Sequence, residues 1–503
     1  MKNLANQNIL VLGLGASGLA LARWCVRCGA RVTVADTRPA PPQLAALHGS
    51  MPNARFVHAA MDGALLDGEH FNMLLKSPGL SPASIRGVVA AARAQGIPCG
   101  NELSLFAQAL TGLKEDQAYA PKLIGITGTN GKTTVTSLTG QLIERAGKSV
   151  AVAGNIGPTL LDTLAEKLDA QARDEAFALP DVWVLELSSF QLDGVTNFEP
   201  TVATVLNITQ DHLDWHETLP AYTAAKANVY GNAGLMLLNR DDPLVMAALP
   251  ALVKGRQTRN YLTFGSDEPQ RPGDYGIQTV NGMAWLVRAA EADETIKRRK
   301  AEEVVLHIQR LMPLEALRIR GRHNATNALA ALGLAVAVGC PLAPMLHGLR
   351  EYRGEPHRVE SVTVLEGVEY FDDSKGTNVG ATVAALAGLG ADRRLVLILG
   401  GEGKGQDFSP LADPVARYVR AVVLIGRDAP VIRAALEGRQ VELLEAASMA
   451  EAVSLAAAQA HAGDAVLMSP ACASFDMFDN YEHRARAFCE AVHELAVDQG
   501  ALL

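Results

Sequence analysis

Two glycine-rich turns, each between an apolar strand and a helix, constrain the fold of this chain more than any other feature. The first turn, GLGASG at residues 13–18, follows the apolar run that begins at Asn8 and precedes a predicted helix. The second, TGTNGKTT at residues 127–134, follows the apolar run 122–126 and also precedes a predicted helix. A strand that passes through a glycine turn into a helix is typical of α/β domains with parallel sheets. The sequence therefore predicts at least two such domains.

A third α/β domain is predicted in the last third of the chain. At about 150 residues per domain, 503 residues correspond to roughly three domains. After residue 354 the alternation of strands and helices resumes, with predicted strands at 369–371, 395–399, 421–425 and 465–468. The residues from 110 to 120 are polar, and residues 166–180 and 287–303 have the composition of surface insertions. We interpret the basic run 297–300 as a solvated loop because acidic residues flank it.

Charge, hydropathy and cysteine content exclude several classes of protein. The 45 Lys and Arg residues against 54 Asp and Glu give a net charge of −9, which argues against a sequence-independent nucleic-acid binder. No apolar run approaches the ~20 residues of a membrane helix, and the first residues lack a secretory signal pattern, so we expect a cytoplasmic protein without membrane insertion. The six cysteines are scattered and include one C-x-x-C pair, Cys25 and Cys28, predicted as ordinary helix positions rather than zinc ligands.

The first glycine turn predicts a site for a diphosphate. GLGASG matches the dinucleotide-binding pattern, and Asp36 ends the next predicted strand. Read literally, this pattern indicates NAD and a dehydrogenase. However, glycine amides and a helix N-terminus accept any diphosphate, and an acid on the second strand can hold a ribose or another polar ring. The turn is therefore equally compatible with a uridine diphosphate.

The second glycine turn predicts nucleoside triphosphate binding. Its amides can surround phosphate oxygens, Lys132 can reach the β and γ phosphates, and Thr133 can bind Mg²⁺. The strict P-loop pattern is broken because Ile126 stands where the first glycine would be. Hydride transfer needs no such loop. Two phosphate-binding turns together favour an ATP-driven reaction on a second, phosphate-bearing substrate.

Polar residues follow several other predicted strands, where the ligand edge of a parallel sheet lies. Glu186 is a predicted Mg²⁺ ligand, and the motif DHLD at 211–214 is predicted to be functional because it lies opposite the P-loop. Lys226, on a helix of small and apolar residues, would by itself indicate a solvated lysine. In the third domain Arg358, Lys375 and Lys404 supply positive charge for an anionic substrate or phosphoryl group. Cys472 has no base nearby in sequence and is predicted to be inert.

Four motifs together resemble the Mur ligase family of peptidoglycan precursor synthesis: TGTNGKTT, DHLD, GRHNATNA at 321–328 and HR at 357–358. Further segments resemble the family members that add D-glutamate; these are 15–18, 36–38, 77–79, 154–157, 186–191, 373–378 and 469–474. The Asp-Asn-Pro-Arg signature of the diaminopimelate-adding relative is absent from the sequence. The resemblance covers nearly the whole chain.

The resemblance implies three domains: a Rossmann-like domain for the UDP substrate at 1–100, a central ATPase domain at 101–354 and a Rossmann-like, amino-acid-binding domain at 355–503. It implies that ATP drives the joining of D-glutamate to UDP-N-acetylmuramoyl-L-alanine through an acyl phosphate, with ADP and phosphate formed. It further implies two Mg²⁺ ions, a carbamylated lysine at Lys226, cytoplasmic location and a monomer that binds small molecules and no nucleic acid.

The resemblance also assigns site residues. For the UDP substrate these are Gly15, Ala16, Ser17, Gly18, Asp36, Thr37, Ser77, Pro78, Gly79, Asn155, Ser188 and Gln191. For ATP they are Gly128, Thr129, Asn130, Gly131, Lys132, Thr133, Thr134, Asn327, Arg358, Asp373 and Lys375. For D-glutamate they are Thr377, Lys404, Ser474 and Tyr481, and for metal Thr133, Glu186, His212 and Lys226 as a carbamate. The catalytic residues among them are Lys132, His212, Lys226 and Lys375.

Two departures from the family pattern affect this expectation. Gln210 stands where the family often has Glu, which removes one acidic group near the metals, and Tyr481 stands where the aromatic residue is usually Phe. Three rival functions stay open: a Mur-type or folylpolyglutamate-type ligase for a different amino acid, a nicotinamide-dependent dehydrogenase, and a nucleotide-binding regulatory module. The P-loop opposes the dehydrogenase, and the motifs around His212 and Lys375 oppose the regulatory module.

Overall fold

The computed structural model describes residues 4–292, 305–391 and 393–500. Four β-sheets follow one another along the chain, and three of them are built mainly of parallel strands with helices in the connections. The predicted α/β fold class is confirmed. The predicted domain boundaries, after residues 100 and 354, stay a prediction.

The first sheet is five-stranded and parallel, in the order β3-β2-β1-β4-β5. Its strands are β1 (Asn8–Leu12), β2 (Arg31–Asp36), β3 (Arg55–His58), β4 (Met73–Lys76) and β5 (Cys99–Gly100). The helices of this segment are α1 (Ala16–Arg27), α2 (Leu44–Ser50), α3 (Arg86–Ala94) and α4 (Glu102–Gln117). Because β1 lies between β2 and β4, the first glycine turn leaves the sheet where the strand order reverses, which is the usual ligand position in such sheets. Cys25 lies in α1 and Cys28 caps it, which confirms their predicted helix positions.

The second sheet is six-stranded and parallel, in the order β11-β10-β9-β6-β8-β7. Its strands are β6 (Lys122–Thr127), β7 (Val150–Gly154), β8 (Val182–Glu186), β9 (Val202–Val205), β10 (Leu235–Asn239) and β11 (Tyr261–Phe264). The helices between these strands are α5 (Lys132–Arg145), α6 (Leu160–Arg173), α7 (Ser189–Leu192), α8 (Leu213–His216), α9 (Leu219–Ala227) and α10 (Pro243–Met246). The P-loop after β6 again lies where the strand order reverses.

A three-stranded antiparallel sheet, which the sequence analysis did not predict, follows the second sheet. It consists of β12 (Tyr275–Val280), β13 (Met283–Glu291) and β14 (Leu306–Pro313), and the helices α11 (Arg322–Ala337) and α12 (Leu342–Glu351) come after it. The predicted insertion 287–303 is therefore wrong at its start, because 287–291 pair within β13. The basic run 297–300 lies outside the described residues.

Two other polar segments are largely helical. The predicted insertion 166–180 begins inside α6, where Leu160, Leu164 and Leu168 are buried at a four-residue spacing. The polar stretch 110–120 is mostly the end of α4. Each helix packs one apolar face against the core while its polar residues point to solvent. The average composition of the segment is therefore polar although its apolar residues have helical periodicity.

The last sheet is six-stranded, in the order β15-β16-β20-β17-β18-β19, with β15 antiparallel to its neighbour. Its strands are β15 (Glu360–Leu365), β16 (Val368–Asp372), β17 (Leu395–Gly400), β18 (Val419–Ile425), β19 (Glu442–Glu445) and β20 (Ala465–Met468). The helices are α13 (Val379–Leu389), α14 (Ala412–Tyr418), α15 (Ala429–Leu436), α16 (Met449–Gln459) and α17 (Tyr481–Asp498). The four predicted strands of this domain are confirmed, and the partly exposed edge strands β15 and β19 were not predicted. Among the helices of the described ranges, none has the length and apolarity that crossing a membrane requires.

Candidate active site

The first glycine turn is tied to its neighbours by side chains that the sequence had assigned to the UDP substrate. The Ser77 hydroxyl donates to the carbonyl of Gly13 at 3.0 Å, and the Leu14 amide donates to the Asp36 carboxylate at 2.8 Å. A Cβ on Gly18 would collide with the Gly13 carbonyl, so the third glycine permits close packing of turn and helix. Ser77 and Asp36 therefore shape the turn itself.

Asp36 is 2% exposed and carries an ion pair with Arg38. The Arg38 side chain donates to both carboxylate oxygens, at 2.8 and 2.7 Å. These hydrogen bonds, with the Leu14 amide, lower the pKa of Asp36 to about 2 despite its burial. Arg38, which the sequence analysis did not assign, is thus held beside the turn by a carboxylate that is ionised at neutral pH.

The P-loop adopts a conformation suited to phosphate binding. Gly131 has φ +83° and caps α5, a left-handed conformation that favours glycine. The Asn130 amide donates to the Asn207 side chain at 2.8 Å, which joins the loop to the end of β9. Lys132 folds back over the loop and donates to the carbonyls of Gly128 and Thr129, at 2.9 and 2.8 Å. A bound phosphate would compete with these carbonyls for the Lys132 ammonium.

Lys226 lies against the same loop. Its amine donates to the Gly128 carbonyl at 2.8 Å and lies 4.5 Å from the centre of the Tyr222 ring. It is 2% exposed, so the interpretation of a solvated helix lysine is wrong. Burial, and then the nearby Lys132 charge, lower the pKa of Lys226 well below its usual value. Two amines thus share one carbonyl oxygen, which disfavours both being charged.

Three side chains predicted to bind metal lie at or near the P-loop. Glu186 ends β8, is 3% exposed and accepts a hydrogen bond from the Asn155 side chain at 3.2 Å. His212 caps α8 with φ +53° and packs edge-on against Phe190 at 4.7 Å between ring centres. Thr133 accepts a hydrogen bond from Arg358 at 2.7 Å. These three side chains are the ones that the sequence analysis had assigned to metal binding.

The third domain reaches the P-loop directly. The Asn378 and Asn130 side chains exchange hydrogen bonds of 3.2 and 3.3 Å. Lys375 lies 4.8 Å from the centre of the Tyr481 ring, so Tyr481 supplies the aromatic face expected at that position. Asp373 is 6% exposed and accepts a hydrogen bond from the Ser469 hydroxyl at 2.6 Å. Burial raises the pKa of Asp373 to about 7.

Most of the predicted central and third-domain residues line one cleft of about 580 Å³. From the predicted set it is lined by Thr129, Asn130, Gly131, Lys132, Asn155, Glu186, His212, Arg358, Lys375, Thr377, Lys404 and Tyr481. Gln210 and Asp211 also line it, so the Gln210 amide does stand beside the predicted metal ligands. A neighbouring cavity of about 120 Å³ includes Thr134, Asn327 and Asp373, and it shares Arg358 and Lys375 with the cleft.

Other predicted residues lie outside these two cavities. Ser474 is 3% exposed and is not among the lining residues. Ser188 and Gln191 cap α7 and hydrogen-bond to each other. The residues of the first domain line neither cavity, including Gly15, Ala16, Thr37, Pro78 and Gly79. The structure therefore gathers most of the predicted ATP and amino-acid residues, with Glu186, His212 and Asn155, in two adjoining cavities, whereas Thr133 and Lys226 line neither cavity. The first-domain residues predicted for the UDP substrate form a separate group.

Two supporting residues were missed by the sequence analysis. The Tyr222 hydroxyl is 3.0 Å from the Thr129 hydroxyl, and its ring covers Lys226. Arg484 is 1% exposed and donates to the carbonyls of Ser374 and Cys472, at 2.8 and 3.1 Å, which joins two loops of the third domain. The available signal was a charged residue among the apolar residues of the segment that forms α17, because a buried arginine needs polar partners.

Comparison with known proteins identifies three consecutive family domains. Residues 7–100 match the N-terminal domain of MurD-like Mur ligases, 126–335 the Mur ligase middle domain and 357–472 the Mur ligase glutamate ligase domain. The chain is 66% identical to the UDP-N-acetylmuramoylalanine--D-glutamate ligase of Albidiferax ferrireducens, over 100% of this chain and 99% of that protein. It is 57% identical to the ligase of the same name from Burkholderia thailandensis, over 98% of both chains.

Solved structures share the fold at low sequence identity. The MurF ligase of Thermotoga maritima, determined in complex with ADP, aligns with a TM-score of 0.56 and 15% identity over 98% of this chain and 97% of that one. A pseudomurein peptide ligase type C from Methanothermus fervidus aligns with a TM-score of 0.54 and 16% identity over 97% of this chain and 100% of that one. With its three matched domains and its closely similar full-length relatives, the chain belongs to the Mur ligase family.

Proposed function

We propose that this protein is an ATP-dependent ligase that joins D-glutamate to UDP-N-acetylmuramoyl-L-alanine in peptidoglycan precursor synthesis. The observation that carries the proposal is the single cleft lined by the P-loop, by Glu186 and His212, and by third-domain loops. The full-length similarity to ligases of that name supports the choice of substrate. We further propose that the protein acts as a monomer in the cytoplasm.

The chemistry explains why ATP is needed. A carboxylate does not react with an amine at neutral pH, because its leaving group would be oxide. In the proposed reaction the L-alanyl carboxylate attacks the γ-phosphorus of ATP and ADP leaves. The amine of D-glutamate then attacks the acyl phosphate carbon, loses a proton and displaces phosphate as the amide forms. Positioning and charge stabilisation carry such a reaction more than proton transfer does.

We assign the residues of the cleft to two tasks. Lys132, Arg358 and Lys375 are cations that would bind the phosphoryl oxygens and stabilise the negative charge that develops on them in the transition state. The small cavity beside Asn327 and Asp373 is adjacent to the P-loop, and we assign the nucleoside of ATP to that side of the cleft. Thr377, Lys404 and Tyr481 line the third-domain side, where D-glutamate would enter. Because Ser474 is buried outside the cleft, its predicted contact with D-glutamate requires a rearrangement there.

The donor set fits Mg²⁺. Thr133 supplies a hydroxyl and Glu186 a carboxylate, both hard oxygen ligands, and His212 supplies a ring nitrogen. The buried, crowded amine of Lys226 fits a second site only if it becomes an oxygen ligand. When bound, Mg²⁺ neutralises phosphoryl charge and polarises the bond to the transferred group.

Carbamylation of Lys226 resolves the conflict at the P-loop. The low pKa of Lys226 favours the neutral amine, which is the form that reacts with carbon dioxide. The amine nitrogen bonds to the carbon of carbon dioxide and a proton is released, so the product is an anion and the repulsion between Lys226 and Lys132 becomes an attraction. Lys226→Ala is expected to lose most activity and to regain part of it with short-chain carboxylic acids. Unchanged activity in this variant would contradict the carbamate assignment.

Phosphate release with UDP-N-acetylmuramoyl-L-alanine, ATP and one amino acid at a time tests the function. We expect turnover with D-glutamate, and turnover with a different amino acid alone would instead support the rival ligase. A thermal shift assay distinguishes the proposed ligase from a nicotinamide-dependent dehydrogenase, because a ligand that binds the folded state raises the melting temperature. We expect a shift with the UDP substrate, whereas a shift with NAD alone would overturn the reading of the first glycine turn.

A further inference from the structure

An ion pair joins the first domain to the central domain beside the predicted UDP-substrate residues. The Lys76 amine lies 2.6 Å from the Asp193 carboxylate, and the two side chains are 17% and 30% exposed. Lys76 is the last residue of β4 and immediately precedes Ser77. Asp193 caps the C-terminus of α7 and follows Gln191 by two residues. The pair therefore connects the ends of two segments that the family resemblance assigns to the same substrate.

A second polar contact runs parallel to this pair. The buried Asn101 side chain donates to the Gln191 carbonyl at 2.8 Å. Asn101 also caps α4, so its orientation is fixed by the helix that leaves the first sheet. Both contacts bridge from the first sheet and the start of α4 to α7 in the central domain.

Beside the Lys76–Asp193 and Asn101–Gln191 contacts, the space between the two segments is open. A cavity of about 580 Å³ lies beside them and is lined by β4 and α3 on one side and by residues 193–197 on the other. Lys76 and Asp193 both lie in its wall. Buried apolar residues of α4 and of the central domain, among them Leu105 and Val195, join the two domains in one core next to the cavity. At the cavity wall itself the polar contacts hold the two segments, so a change in either charge can alter their local separation.

We propose that Lys76 and Asp193 are positioning residues that set the distance between the turn 77–79 and the segment 188–191, and thereby the affinity for the UDP substrate. This inference rests on the proposed function, which supplies the substrate that spans both segments. The two side chains act through their neighbours in sequence. The P-loop residues proposed to hold ATP lie between the end of β6 and the start of α5, outside this contact.

Binding of UDP-N-acetylmuramoyl-L-alanine, measured by calorimetry without ATP or D-glutamate, tests the inference. In Lys76→Ala and in Asp193→Ala we expect Kd and KM for the UDP substrate to rise about threefold to tenfold. We expect kcat and the KM for ATP to stay near the wild-type values. The double variant should weaken binding no more than either single variant, and the exchange Lys76→Asp with Asp193→Lys should restore part of the affinity.

The matched control is the Arg55–Glu69 pair, an ion pair of 3.2 Å within the first domain. Removing Glu69 should leave the UDP-substrate Kd unchanged. An unchanged Kd in both Lys76→Ala and Asp193→Ala would overturn the inference, as would single effects that simply add in the double variant. If the wild-type protein turns over the substrate and the variants differ from it only by a lower melting temperature, the positioning role is refuted and the proposed function stands. Wild-type protein that does not bind the UDP substrate refutes both.

Discussion

Glu102 provides a quantitative test of how burial acts at the junction of the first and central domains. It is the first residue of α4 and is 1% exposed. One carboxylate oxygen accepts a hydrogen bond from the Leu161 amide at 3.1 Å, and the other is buried with no hydrogen-bond partner among the described residues. Burial raises the pKa of Glu102 from 4.5 to about 7. The protonated form is therefore the one that this environment favours.

The expected cost of ionising Glu102 follows from that difference in pKa. A folded pKa near 7 against 4.5 in the unfolded chain corresponds to about 3 kcal/mol. Since the folded pKa is the higher one, stability is fully present below pH 4.5 and is lost as the pH rises through 7. Glu102→Gln keeps the shape and an acceptor for Leu161 but cannot ionise. Its advantage over wild type should grow from near zero at pH 4.5 to about 3 kcal/mol above pH 7.

Urea unfolding of both proteins at pH 5, 6, 7 and 8 measures this difference, provided that the transition involving α4 is followed. Glu115→Gln, at an exposed position of the same helix, is the matched control and should show no such pH dependence. A difference between Glu102→Gln and wild type that stays constant with pH would refute the argument. A Glu102→Gln protein less stable than wild type at pH 8 would refute it as well.

Three further predictions follow from contacts in the structure. Gly18→Ala should abolish UDP-substrate binding, because its Cβ collides with the Gly13 carbonyl, whereas Gly49→Ala, in α2, meets no described atom within 4 Å and should bind normally; calorimetry compares them. Trp183→Phe should lower the free energy of unfolding by about 1–2 kcal/mol, since Trp183 donates to the Tyr119 hydroxyl at 2.8 Å, and denaturant titration checks this. Burial raises the pKa of Cys472 to about 12, so Cys472 should resist alkylation at pH 8 and Cys472→Ala should keep its activity, as mass spectrometry and a phosphate-release assay would show.

The parts of the fold that could be predicted from sequence are those encoded by local pattern. The two glycine turns and the central strands were predictable because a buried parallel strand is a continuous apolar run and its turn needs glycine. The antiparallel sheet β12-β13-β14 was missed because its exposed and buried residues alternate irregularly, with a break in register between Leu286 and Val287. The helical start of the predicted insertion at 166 was missed because its four-residue spacing of leucines is set within a polar composition.

Site residues could be predicted where they belong to a sequence motif. They could not be predicted where tertiary contacts determine the position and burial of the side chain. Lys132 and Glu186 could be placed from the strands that precede them. The burial of Lys226 could not, because it depends on the packing of α9 against the P-loop, which brings the Tyr222 ring over the amine. The link between Lys76 and Asp193 has no sequence signal either, since the two residues are 117 positions apart.

The local charge of the cleft explains how a protein with a net charge of −9 could hold polyanionic substrates. Burial and the neighbouring Arg358 and Lys375 lower the pKa of Lys132, although Glu186 opposes them. Burial and Arg358 likewise lower the pKa of Lys375. Folding thus brings together cations that repel one another, and a bound polyphosphate would convert that repulsion into attraction. The affinity would then come from charges that the fold has already ordered and partly desolvated, so the net charge of the surface matters little.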